Sequence, residues 1–381
     1  MVRRPPRPPL FPSRPLSRSG EQFILTVGGS NAQLWDAATG NEQIRYSPHG
    51  SVSAAGFSPD GQFIVTAGLD STARIWNAAT GKTVFILAGH TSDVNSAVFS
   101  PNGKMVLTGS RDRTARLWDV ESGKEMASLQ GHDGPVLQAV FSNDGRRVAT
   151  ASDDGTARIW DVASGTELAR MDCQSGAVLC IAFSSDGKRV ITGTQGQDTQ
   201  SAAYAKIWAI EDKPDGTLDA KEVMYLTGHK AAVTSVAFSP DDEGSRALTG
   251  SDDYIVKLWD MRTTDDITRL AAESQPVEAP VPGNLLQQGD AAPADNPPAA
   301  PAVAQEVAKP TGPEAAKEIL SLAGHQREVT SVAFSHDGHD VLTGSRDGKA
   351  ILWLTIDWTN NQGNIARTVR STSRREVAAS K

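Results

Sequence analysis

Between Asp93 and Glu125 the chain alternates short apolar bursts with polar breaks. In DVNSAVFS (Asp93–Ser100) the apolar residues crowd together, as in a strand buried on both faces. PNG (Pro101–Gly103) follows, and Asx-Gly between apolar runs signals a hairpin, because the turn needs a residue at positive φ. Then come MVLTGS, a turn containing Asp112, TARLWD, a second turn ESGK, and EMASLQ. The pattern predicts four short strands joined by tight turns. No segment sustains helical periodicity. Counterparts of the first turn stand at Pro59–Gly61, Asn143–Gly145, Ser185–Gly187 and His336–Gly338.

The unit recurs. Seven of the eight tryptophans fall at Trp35, Trp76, Trp118, Trp160, Trp208, Trp259 and Trp353, with gaps of 41, 42, 42, 48, 51 and 94. The last gap holds a Pro/Ala-rich stretch, 271–316, without an aromatic residue. Such a composition buries too little apolar surface to offset its ordering entropy, so a disordered insert is expected there. Seven units remain. One four-stranded sheet cannot cover both its faces, and stacking the units radially buries a continuous core. The expected fold is all-β, a seven-bladed β-propeller of four-stranded antiparallel blades.

Gly-His opens units at 89–90, 131–132, 228–229 and 324–325, and Trp-Asp closes third strands at 35–36, 118–119, 160–161 and 259–260. In these features the chain resembles WD-repeat β-propellers over residues 21–360, less the insert. That resemblance implies a hydrogen-bonded tetrad in each regular blade. The matching sets are His90, Thr108, Asp112 and Trp118; His132, Thr150, Asp154 and Trp160; His229, Thr249, Asp253 and Trp259; and His325, Thr343, Asp347 and Trp353. A weaker fifth set is His49, Thr66, Asp70 and Trp76, with Pro48 in place of glycine. The Asp would accept from the His, the His would tie to the Thr, and the Thr to the indole N–H. Recurring around a ring, these residues read as fasteners rather than as active sites. The resemblance also implies that residues just before the turn Asp project from the Gly-His face: Leu69, Arg111, Asp153, Asp252 and Arg346. Arg111 and Arg346 are the first choices for contacting an acidic peptide, with Asp153 and Asp252 excluding wrong partners.

Three places break the pattern. Nothing in residues 1–20 resembles an innermost first strand, and Gly29 stands where a turn Asp belongs. Ring closure then needs a strand from elsewhere. NIARTVR, near the C-terminus, could be the outer strand of the last blade, and EVAAS an inner strand of the first. Alternatively, the chain is the C-terminal part of a longer product. In the fifth unit, Gln174-Ser175 lies where Gly-His is expected, and the turn before the third strand swells to Gln195–Tyr204, which the resemblance places on the Gly-His face. The insert precedes KEILSL (Lys317–Leu322), so it leaves the sixth blade between third and fourth strands, on the opposite face. Within it, VPGNLLQQ could be a docking motif or plain linker. The domain plan is thus an Arg/Pro-rich disordered tail at 1–20, the propeller at 21–365, and a basic tail at 366–381.

Charge narrows the partners. The net charge is −8, and taking away the +5 of residues 1–20 and the +4 of residues 366–381 leaves −17 on the body. An acidic body argues against nucleic acid, which needs a basic stripe. No apolar run is long enough for a transmembrane helix. Two cysteines, Cys173 and Cys180, make neither a disulfide framework nor a metal set and are expected as buried or half-buried thiols. Phosphate-cradling, zincin and nucleophile-elbow signatures are missing from the sequence. Five of seven histidines belong to the repeats, and His336 and His339 flank a hairpin turn. These features predict a non-enzymatic protein-interaction scaffold, without metal or cofactor, monomeric within a larger assembly and cytoplasmic. The likeness among STARIWN, RTARLWD and GTARIWD resembles regular bacterial members of the family. Two rival readings stay open: a sensor propeller of a larger protein such as a protein kinase, and an enzyme with a site at the channel.

Overall fold

The computed structural model describes residues 10–11, 23–36, 39, 41–47, 50–196, 205–241, 245–262, 314–335, 337–354 and 368–371. All its regular structure is β, arranged as seven sheets. The first blade holds β1 (Leu10–Phe11), β2 (Phe23–Gly28), β3 (Asn31–Asp36) and β4 (Glu42–Tyr46). The second holds β5 (Val52–Phe57), β6 (Phe63–Gly68), β7 (Thr72–Asn77) and β8 (Thr83–Ala88). In the third are β9 (Val94–Phe99), β10 (Met105–Ser110), β11 (Thr114–Asp119) and β12 (Glu125–Gln130). The fourth has β13 (Val136–Phe141), β14 (Arg147–Ser152), β15 (Thr156–Asp161) and β16 (Glu167–Asp172). The fifth has β17 (Val178–Phe183), β18 (Arg189–Thr194), β19 (Ala205–Asp212) and β20 (Leu218–Leu226). The sixth comprises β21 (Val233–Phe238), β22 (Arg246–Ser251), β23 (Ile255–Asp260) and, after β24 (Glu314–Ala315), β25 (Lys317–Ala323). The seventh comprises β26 (Val329–Phe334), β27 (Val341–Ser345), β28 (Ala350–Leu354) and β29 (Thr368–Ser371).

Within a blade, each strand pairs antiparallel with the next in sequence, as tight turns require. The inner strands line the channel, and β9, for instance, is buried along most of its length. Asx-Gly turns follow them: Gly103 at φ 71 and Gly145 at φ 69 adopt the left-handed conformation that favours glycine. Cores form between blades. One cluster joins Val65, Ile75 and Leu87 of the second blade to Val94, Val106 and Trp118 of the third. Side-chain bonds reach across the same seams. Asn95 Nδ2 donates to Val136 O at 2.8 Å, and Ala139 N–H to Ser96 Oγ at 3.1 Å.

Closure differs from the expectation that residues 1–20 lack a first strand. Leu10 pairs with Thr26 and Phe11 with Leu25, which puts β1 innermost in the first blade, against β26 and β5. Flanking prolines hide so short a strand, because it is set by non-local pairing rather than by a local pattern. At the other end, β29 pairs with β28, as Trp353↔Val369 and Leu354↔Thr368. It lies in the tract expected to supply the outer strand of the last blade. EVAAS falls outside the described residues. So do residues 263–313, which hold most of the expected insert and VPGNLLQQ. The strand after them, β25, pairs with β23, while Glu314–Ala315, within the expected insert, adds in parallel to β20 as a fifth strand. Among the described residues no helix is long and apolar enough to cross a membrane.

Candidate functional site

Consider the third blade. The turn between β10 and β11 carries Asp112, and the loop before β9 carries His90. The Trp118 indole N–H, a donor only, meets Thr108 Oγ1 at 2.9 Å. Thr108 Oγ1 lies 2.7 Å from His90 Nε2, and His90 Nδ1 lies 2.8 Å from Asp112 Oδ2. The ionised Asp112 carboxylate can only accept, so Nδ1 carries the hydrogen and donates to it. In the neutral ring Nε2 is then an acceptor, and Thr108 donates to it while accepting from Trp118. Asp112 also receives the Thr91 N–H at 3.1 Å and the Thr114 hydroxyl at 2.7 Å. Each Asp thereby ties the loop before the inner strand to the turn after the second.

The same distances recur. His132 Nδ1 is 2.8 Å from Asp154 and its Nε2 is 2.7 Å from Thr150, which takes the Trp160 indole at 2.9 Å. His229 meets Asp253 at 2.9 Å and Thr249 at 2.7 Å, with Trp259 at 2.9 Å. His325 meets Asp347 at 3.1 Å and Thr343 at 2.8 Å, with Trp353 at 3.0 Å. All four threonines are fully buried. A hydroxyl sealed from solvent and already holding two partners cannot attack a substrate. These sets act as fasteners.

The glycines before His90, His132 and His325 leave room for the ring of the repeat tryptophan. A Cβ on Gly131, at φ 157, would come within 2.6 Å of Arg158 Nη1 and 3.2 Å of the Trp160 ring. That arginine is one of a second repeated set that the sequence reading missed. Arg116 pairs with Glu125 at 2.7 Å, Arg158 with Glu167 at 2.6 Å and Lys206 with Glu222 at 2.7 Å, and Lys257 pairs with Glu318. Each base stands two residues before its Trp, and each acid lies opposite that Trp on the outer strand. The nine-residue spacing of Arg116–Glu125 and Arg158–Glu167 was visible in the sequence.

Three further blades share the Trp–Thr bond. Trp76 donates to Thr66 at 2.9 Å, but His49 lies outside the described residues, and Asp70 caps Thr72 and approaches Arg74 at 3.3 Å. Trp35 donates to Thr26 at 2.8 Å, and Trp208 to Thr192 at 3.0 Å, two pairs that the sequence reading omitted. In the fifth blade the register is Cys173-Gln174, one residue earlier than Gln174-Ser175. Asp172 lies opposite Thr156, just as Gln130 lies opposite Thr114, so Cys173 takes the place of Gly131. Its thiol approaches Thr192 Oγ1 at 3.7 Å, where other blades present a His nitrogen. Burial pushes that thiol up to about 11, which keeps it a proton donor. Cys173 and Cys180 are both buried and unjoined.

The carboxylates are the acid-sensitive part. Burial works to raise Asp112, but the Thr114 and His90 hydrogen bonds outweigh it and hold the group at about 2. Asp253 also sits at about 2, with burial opposed chiefly by His229, and Asp154 falls well below the usual range for the same reasons. Burial lowers His90 against the pull of Asp112. In every case the unfolded chain takes the proton first, so these contributions fade as pH falls. The His90 contribution is complete above about 6.5 and wanes below it; the carboxylate contributions are complete above about 3.8 and are lost towards 2. The thermal midpoint is therefore expected to fall in two stages on acidification. A midpoint flat from pH 7 to pH 3 would contradict this.

The residues before each turn Asp are pinned alike. Leu69 N–H donates to Ser51 O at 3.1 Å, Arg111 to Asp93 O at 2.9 Å and Asp153 to Pro135 O at 2.9 Å. Asp252 N–H bonds Ala232 O at 2.9 Å, and Arg346 N–H bonds Glu328 O at 3.0 Å. All five therefore stand beside the entrance of an inner strand, on the face of the His loops. The Arg111 side chain is 57% exposed and 3.6 Å from Asp93, whereas Arg346 is 28% exposed and 3.6 Å from Glu328. Asp153 is exposed; Asp252 and Leu69 are half-buried. Gln195 continues this series, its N–H on Ala177 O at 2.9 Å, but residues 197–204 of the swollen turn lie outside the described residues. At the opposite mouth, phenylalanines 57, 99, 141, 183 and 238 ring a cavity of about 530 Å³. Among the described residues, no three His, Cys, Asp or Glu side chains converge as a metal site.

A sequence profile described as "WD domain, G-beta repeat" matches residues 40–77, 81–119, 123–161, 165–200, 220–260 and 316–353. The chain belongs to the WD-repeat family. Five of the six matched repeats run from the outer strand of one blade through three strands of the next, as 81–119 spans β8 to β11, and the match at 165–200 stops before β19. The repeats thus bind neighbouring blades covalently. The chain is 30% identical over 145 residues to the ribosome biogenesis protein YTM1 of Phaeosphaeria nodorum, covering 37% of this chain and 28% of that protein. It is 27% identical over 151 residues to a component of chromatin assembly factor 1 from Gallus gallus, covering 40% and 21%. It is 36% identical over 77 residues to WD repeat-containing protein 82 of Drosophila melanogaster, covering 19% and 24%. The chain spans about a quarter of the length of these WD-repeat relatives. All three come from eukaryotes, which corrects the expected bacterial likeness: the shared third-strand sequence reflects packing common to the whole family.

Proposed function

We propose that the chain is a protein-interaction scaffold whose partner docks on the face of the His loops. The observation that carries this reading is the division of labour among its polar residues. His, Thr and Trp are spent on buried fasteners, while Arg111, Asp153, Asp252 and Arg346 are pinned by the backbone around one face. Arg111 and Arg346 suit a carboxylate-bearing peptide, since a guanidinium offers paired donors, and Asp153 and Asp252 repel acidic segments that would dock off-register. The names of two relatives, one of ribosome biogenesis and one of chromatin assembly, fit a role in assemblies. Two buried, unjoined thiols support the expected cytoplasmic location.

The test is capture of proteins from native lysate on wild type and on the Arg111→Ala, Arg346→Ala double variant, identified by mass spectrometry. A protein held by wild type and lost by the variant, with an unchanged thermal midpoint, is the expected result. Equal retention would remove the partner from this face.

A further inference from the structure

The outer strand of the second blade, β8 (TVFILA), departs from most other outer strands in three respects. Opposite the repeat tryptophan, five blades place a glutamate: Trp35↔Glu42, Trp118↔Glu125, Trp160↔Glu167, Trp208↔Glu222 and Trp259↔Glu318. In the seventh blade Val369 faces Trp353 and Ile351 stands in place of the base, whereas in the second blade Trp76 faces Thr83. The base two residues before the tryptophan is nevertheless kept. Arg74 has Asp70 at 3.3 Å, while the glutamate that Arg116 and Arg158 hold has no counterpart on β8. The position opposite that base is Ser128, Arg170, Tyr225 or Ser321 in the third to sixth blades, and Ile86 in the second. Ile86 is 54% exposed and Val84 is 41% exposed. Finally, β8 contains no charged residue, whereas every other outer strand has at least one.

Open strand edges are usually guarded by charge, because unpaired N–H and C=O groups invite another strand. The molecule already covers one outer edge in this way. In the fifth blade, β24 adds in parallel to β20, pairing Met224 with Glu314 and Tyr225 with Ala315, and Ala316 N–H donates to Tyr225 O at 3.0 Å. Tyr225 stands opposite Lys206, as Ile86 stands opposite Arg74. Strand addition therefore occurs at the counterpart of Ile86.

We propose that β8 is a docking edge for an extended segment of a partner protein that is both apolar and acidic. Its backbone lengthens the second blade by one strand, its apolar side chains cover Val84 and Ile86, and a carboxylate reaches Arg74 where other blades supply their own glutamate. This surface is separate from the His-loop face, so either assignment can fail alone.

The test is fluorescence anisotropy on the full chain with a labelled peptide alternating valine and glutamate, beside one alternating valine and lysine. The Val/Glu peptide should bind, more weakly as salt rises. Thr83→Glu with Ile86→Arg, which gives β8 the residues that the fourth blade has at these positions, should weaken binding at least about tenfold. Met126→Arg, on the outer edge of the third blade, should change nothing. Unaltered thermal midpoints show that both variants fold. Equal binding of the two peptides, or binding that survives the Thr83/Ile86 change, would overturn the proposal. So would sedimentation showing wild-type self-association that this change abolishes, which would assign the edge to a second copy of the chain.

Discussion

Replacing Trp118 with alanine is expected to destabilise the protein by ~3–5 kcal/mol, the cost of truncating a fully buried aromatic. Trp118 is 2% exposed and packs across the seam between the second and third blades, with Val65, Ile75 and Leu87 on the far side. It also donates its indole N–H to Thr108, the first link of the Thr108–His90–Asp112 chain. Truncation opens a cavity and takes a donor from a buried hydroxyl. Trp35→Ala is the control. That indole makes the same bond to Thr26, but its ring is only half-buried, so the loss should be clearly smaller. Denaturant midpoints of the two variants decide the matter, and equal losses would mean that the seam does not carry the packing assigned to it.

The second large effect needs no cavity. Thr150→Val keeps the volume of a fully buried side chain and removes only the oxygen between Trp160 Nε1, at 2.9 Å, and His132 Nε2, at 2.7 Å. Two buried polar groups then lose their partner, at ~1–3 kcal/mol each, so a loss of about 2–6 kcal/mol is expected. A denaturant curve showing less than about 0.5 kcal/mol, the range of ordinary surface changes, would mean that the tetrads are decorative.

Much of this architecture was legible because it is local. Asx-Gly turns, crowded inner strands and a tryptophan every forty-odd residues follow from neighbouring residues alone, and so do three tetrads at identical offsets and a fourth stretched by a longer hairpin between His229 and Thr249. What escaped was non-local or disguised. Leu10–Phe11 is a strand only because β2 lies beside it, and its sequence among prolines carries no such signal. Cys173 stands where a glycine belongs, and the fifth blade has Lys206 in place of arginine, so the Gly-His register slipped by one residue. The base–glutamate pairs were different. Arg116–Glu125 and Arg158–Glu167 share a spacing that could have been read, but charges on strands ordinarily pass for solvated faces. Without them the exception at Thr83 could not be seen.

The central claim is that this ring separates holding from binding, with fasteners inside and recognition on the exposed face. The most direct measurement is partner retention against folded fraction, on Arg111→Ala/Arg346→Ala and Thr150→Val side by side. The arginine variant is predicted to stay as stable as wild type and to lose its partner. Thr150→Val should be less stable, yet hold the partner at any temperature where it is folded. A fully folded Thr150→Val protein that no longer binds, beside an arginine variant that still does, would contradict the claim.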